Sequence, residues 1–78
     1  MSKWNDVSKE ETRCYIFSQN EDGTEVSYLI HSPSKQKQSE NGNELVYDDE
    51  GVKHEVRNHW LAIRTTPKNN NVSVKKEQ

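Results

Sequence analysis

Apolar residues in this chain come in short bursts, separated by polar runs that carry the turn formers. Arg13-Cys14-Tyr15-Ile16-Phe17 is the densest burst. Its aromatic and β-branched side chains suit a strand, with Cys14 and Ile16 on one face and Tyr15 and Phe17 on the other. Asn20-Glu21-Asp22-Gly23 follows, and Asp-Gly supplies the positive φ angles of a tight hairpin turn. From Thr24 to His31, Val26, Tyr28 and Ile30 alternate with Glu25, Ser27, Leu29 and His31, which predicts the returning strand of a hairpin over residues 13–31.

Ser32 to Asn43 contains Pro33, Gly42 and a Lys/Gln/Ser run with no apolar residue, and reads as a long exposed loop, a candidate contact surface. Glu44-Leu45-Val46-Tyr47 predicts a third strand, closed by Asp48-Asp49-Glu50-Gly51. Beyond it two periods compete. Val52, His54 and Val56 alternate as in a strand, whereas Val52, Val56, Trp60 and Ile63 follow a helical stripe. A strand over 52–57 would make a second hairpin with 44–47, and Trp60 to Thr65 would add a fifth strand.

These elements define a mainly β chain, with a small antiparallel sheet or partly open barrel of 4–5 strands and disordered polar ends. The alternative is an α+β domain with a helix near 52–63. Residues 1–11 read as a flexible arm, with one helical turn suggested by Ser8-x-x-Glu11. Residues 12–66 form the single domain, and 67–78, following the break at Pro67, a disordered tail too polar to offset its ordering entropy.

Composition narrows the picture. Leu, Ile, Val and Phe make only 14 of 78 residues, so the core must be thin. Cys14 is the only cysteine, which excludes a disulfide within one chain. No apolar run approaches the ~20 residues of a membrane helix, and residues 1–12 lack the apolar stretch of a signal peptide, so no membrane is expected and the location expected is cytoplasmic. Residues 1–55 carry six Lys/Arg against twelve Asp/Glu, a net −6, while 56–78 carry five against Glu77 alone, a net +4. An acidic body with a basic end is compatible with a surface that repels nucleic acid or with an arm that attracts it.

Candidate chemistry is sparse. Cys14, His31, His54 and His59 are the right types for zinc, but only His54 and His59 are close in sequence, and five apart they point to opposite faces of a strand, so no metal and no cofactor is expected. Every glycine has a turn explanation and no nucleophile or phosphate-loop motif is present, which argues against an enzyme. Two binding functions remain. The leading expectation is a protein-binding module, an inhibitor or modulator of a larger machine of the virus- or plasmid-encoded accessory type, contacting another protein through Trp4, Lys35, Gln36, Lys37 and Trp60. The alternative is a nucleic-acid-binding β-fold using Tyr15, Phe17 and Tyr28 as a stacking platform with Arg57, Arg64 and Lys68 on phosphates.

Overall fold

The computed structural model describes residues 3–68, which form seven strands and no helix. They are β1 (Asn5–Asp6), β2 (Glu10–Gln19), β3 (Glu25–His31), β4 (Pro33–Gln38), β5 (Glu44–Asp48), β6 (Lys53–Val56) and β7 (Ala62–Pro67). All pairings are antiparallel. They build a four-stranded sheet in the order β1-β4-β5-β6 and a three-stranded sheet in the order β3-β2-β7, neither closed into a barrel. The helical stripe through 52–63 is overruled by β6 and β7, which put Val56 and Ile63 on facing sheets. The predicted tail falls on residues that lie, after Lys68, outside the described ones.

Three hairpins share one loop design. In each, the amide of the first residue bonds to the carbonyl four residues on, and a glycine amide returns to the first carbonyl: Asn20 with Thr24 and Gly23, Ser39 with Asn43 and Gly42, Asp48 with Val52 and Gly51. Each glycine has φ between 83° and 92° and its neighbours stay at negative φ. This is a type I turn closed by a left-handed glycine, in place of the two-residue turn that Asp22-Gly23 suggests. At Gly42 a side chain would also press on Asn58, whose Nδ2 would lie 3.3 Å from a Cβ.

The largest departure from the sequence reading is residues 32–43. Six of them are β4, an interior strand between β1 and β5, and 39–43 form the loop that joins it to β5. Absence of apolar side chains does not prevent this, because the inward, half-buried Gln36 of β4 finds polar partners. Gln36 Nε2 donates to Glu44 Oε1 at 2.7 Å, and Asn5 Nδ2 donates to Gln36 Oε1 at 3.0 Å. The arm is likewise tied down: Asn5 and Asp6 pair with Gln36 and Lys35, and the Val7 amide bonds to the Ser34 carbonyl. Ser8 caps no helix; its amide and hydroxyl both bond to Asp6 Oδ1 in a turn, and these bonds lower the Asp6 pKa. Between β3 and β4 the chain switches sheets at Ser32, held at φ 52° by bonds to the Glu11 carbonyl on one side and from the Asp49 amide on the other.

The sheets meet through Tyr15 and Ile30 from the three-stranded sheet and Val46 and Val56 from the other, with Phe17, Trp60 and Ile63 packed half-buried around them. A polar network enters this core. Arg13 Nε donates to the Tyr15 hydroxyl at 2.7 Å, and that hydroxyl donates to Glu44 Oε1 at 3.1 Å; Arg13 also bonds to Glu10. Burial pushes the Tyr15 phenol up to about 12, against the opposing pull of Arg13. Cys14 and Ile16 lie on the opposite face of β2, between Leu29 and Arg64 and between Ser27 and Ala62. Arg64 of β7 reaches across β2 to Glu25 of β3, with Nη2 3.0 Å from Oε2, so its aliphatic stem helps cover that face.

Candidate functional site

Alternation along the four-stranded sheet divides its side chains. Val46 points to the core, and its cross-strand partners Gln36 and His54 share that face. The outer face therefore carries Lys35 and Lys37 from β4, Leu45 and Tyr47 from β5, and Lys53 and Glu55 from β6, with Trp4 beside them ahead of β1. The Trp4 and Tyr47 rings lie 5.3 Å apart between centroids, tilted by 56°. Lys35 Nζ sits 4.9 Å from both ring centroids, and Lys37 Nζ sits 4.9 Å from that of Trp4. Each ammonium is in reach of the negative face of a ring, and the lysine stems lie along apolar surface.

The result is a row of ordered cations on an aromatic floor. Lys35 and Lys37 are two residues apart on one strand, hence about 6.6 Å apart along it. Glu55 is the acidic residue sharing this face on β5 and β6, and Asp6 lies opposite Lys35 on β1. Held in this way, the lysines have already surrendered part of the rotamer entropy that free surface lysines lose on binding.

Of the residues expected to bind protein, Trp4, Lys35 and Lys37 converge here. Gln36 does not, since it faces inward to Glu44. Trp60 also does not: its ring packs edge-on against Tyr15 at 6.1 Å, and its Nε1 is buried without a partner among the described residues.

The residues of the nucleic-acid alternative are scattered. Tyr15 is fully buried, because the second sheet covers its face, and Phe17 packs at 4.8 Å against the His59 ring. Tyr28 bonds to His54 Nδ1 at 2.7 Å and links the two sheets. Arg64 is paired with Glu25, Arg57 lines a cleft with Asn41, Asn43, Glu55 and Asn58, and the Lys68 amide bonds to the Lys9 carbonyl at the far end of the same sheet. They form no single platform. Tyr47 and Lys53 escaped the sequence reading, although the signal was present: once Val46 is assigned to the core, Leu45 and Tyr47 must face outward.

The candidate metal ligands also stay apart. Cys14 is buried on the outer face of β2, His59 stacks near Phe17, and His54 Nε2 lies 3.0 Å from Asp48 Oδ2, a contact that holds the Asp48 carboxyl below its ordinary pKa. His31 is exposed opposite Thr12. Among the described residues no helix is long and apolar enough to cross a membrane. No protein-family model, no curated protein and no solved structure matches the chain.

Proposed function

We propose that this chain is a non-enzymatic protein-binding module, an inhibitor or modulator that docks an extended acidic segment of a larger protein on the outer face of its four-stranded sheet. The observation carrying this reading is the Trp4–Tyr47 pair with Lys35 and Lys37 laid on it. Carboxylates two residues apart in an extended segment repeat at the same ~6.6 Å as the two ammoniums, and apolar side chains of that segment would meet Trp4, Tyr47 and Leu45.

A second reading, single-stranded nucleic acid on the same face, is favoured by the coexistence of two aromatic rings with Lys35, Lys37 and Lys53. It ranks lower for a geometric reason. Lysine ammoniums already occupy the ring faces on which bases would stack.

The test is fluorescence anisotropy with two labelled probes, a peptide alternating Glu with Leu and an oligothymidylate, each titrated at several salt concentrations. The expected result is peptide binding that weakens at least tenfold in the Lys35→Glu, Lys37→Glu double variant, with little affinity for the oligonucleotide. Tighter oligonucleotide binding with a steep salt dependence would transfer the site to the second reading.

A further inference from the structure

The two sheets end in four edge strands, and three of them carry features that block further pairing. β1 has two residues, β6 has four and includes Lys53, and β7 carries Arg64 and closes on Pro67. Short length, charge and proline are the devices by which native edges avoid adding a strand. β3 has neither short length nor proline, and its one carboxylate, Glu25, is paired with Arg64 of its own sheet. It runs seven residues, Glu-Val-Ser-Tyr-Leu-Ile-His, without Lys, Arg, Pro or a bulge of its own, the irregularity of its pairing lying in β2 at Phe17. Among the described residues, β2 is its only strand partner. Val26, Tyr28 and Leu29 are 58%, 42% and 48% exposed, which places apolar surface on both faces of this edge.

We propose that β3 is the seam of a two-fold symmetric homodimer, in which the β3 strands of two copies pair antiparallel about Tyr28 to give one continuous six-stranded sheet. Side-chain alternation admits only registers that pair residues of the same parity, because partners must share a face. Centring on Tyr28 is the one that pairs all seven residues. It sets Glu25 opposite His31 of the second copy, Val26 opposite Ile30, Ser27 opposite Leu29, and Tyr28 opposite itself. Acid meets imidazole at both ends, Val26 adjoins Ile30, and Ser27 adjoins Leu29. The strand is thus complementary to itself, as an isologous interface requires.

Sedimentation velocity over a concentration series tests this on the full chain. The expected result is a monomer–dimer equilibrium that Val26→Lys and Leu29→Lys each weaken at least about tenfold, with the far-ultraviolet spectrum unchanged. A wild-type chain that stays monomeric to about 1 mM, or a dimer that both substitutions leave intact, overturns the proposal. Because a lysine variant can fail for reasons of folding, a second measurement fixes the register. Opposed residues in an antiparallel pair have Cα atoms about 4.5–5.5 Å apart, within disulfide reach. In a Cys14→Ala background, which removes the native thiol lying opposite Leu29 in the same chain, Ser27→Cys chains mixed with Leu29→Cys chains should therefore form the mixed disulfide, located by peptide mapping. Absence of that product, or dominance of a Ser27→Cys disulfide with itself, overturns the Tyr28-centred seam.

Discussion

β2 and β4 are both interior strands, each hydrogen-bonded to a neighbour on either side, yet they are built from opposite materials. β2 buries three consecutive side chains, Cys14, Tyr15 and Ile16, so both of its faces are closed: one by the opposing sheet and one by its neighbours and the stem of Arg64. β4 has no side chain larger and more apolar than Pro33. Its inward Gln36 is satisfied by Glu44 and Asn5, and its outward lysines lie on Trp4 and Tyr47. Apolar content therefore tells where the core is, and says less about where strands are. A polar strand is stable inside a sheet when its neighbours supply acceptors on one face and aromatic surface on the other.

The sharpest way to break the comparison is at Tyr15, where both halves meet. Tyr15→Ala removes the ring that packs against Trp60 and the core, and also deprives Arg13 and Glu44 of their shared hydroxyl. A loss of about 3–5 kcal/mol is expected, enough to unfold a domain this small, and a chemical denaturation curve would read it. A melting midpoint near that of the wild type would mean that the four-stranded sheet holds itself together without the three-stranded one.

Tyr15→Phe separates the polar contribution from the apolar one, and should cost about 1–3 kcal/mol, because Arg13 Nε loses its acceptor and Glu44 one of its donors while each keeps its bond to Glu10 or Gln36. It also has a signature in pH. The folded phenol, raised to about 12, lies above the ordinary value of about 10, so the neutral form is favoured in the native state. Stability from this group is complete below pH ~10 and declines as the pH climbs from there towards 12. Melting temperatures between pH 9 and 12 should fall less steeply in Tyr15→Phe than in the wild type. Parallel slopes would place the alkaline loss elsewhere.

At the small end, Trp4→Ala should change stability by less than about 1 kcal/mol, since the ring is 37% exposed and supports lysines on a surface. Its effect belongs on binding. Loss of the acidic-peptide signal with an unchanged melting curve would mark the face as a site; a collapse of the fold would make it part of the scaffold.

How far the sequence could be read follows the same division. The alternations around Tyr15, Val26–Ile30, Val46 and Val56 locate β2, β3, β5 and β6, and three glycines after polar residues locate the hairpin loops, because apolar periodicity and positive φ both leave marks in a single chain. β1 and β4 leave no such mark. Their partners are distant polar groups, Gln36 with Glu44 and Asn5 with Gln36, and no period within the strand announces a satisfied hydrogen bond. The candidate site divides for the same reason: Trp4, Lys35 and Lys37 stand out as residue types in a polar stretch, whereas Tyr47 joins them only through the β4–β5 register.

The order β3-β2-β7 also has a kinetic meaning. The three hairpins close through short loops and can form early, but β2 gains its second neighbour from the other end of the described chain, where the Thr12 and Thr66 hydroxyls meet 54 positions apart. Closing so long a loop costs entropy before any contact in it is made, which puts this domain among the slower two-state folders, in the range of milliseconds to seconds. During synthesis β7 leaves the ribosome after the other six described strands. Until it does, one edge of β2 is bare and Cys14 and Ile16 lack half their cover, so the nascent chain passes through an interval in which its most adhesive strand is open to a neighbour.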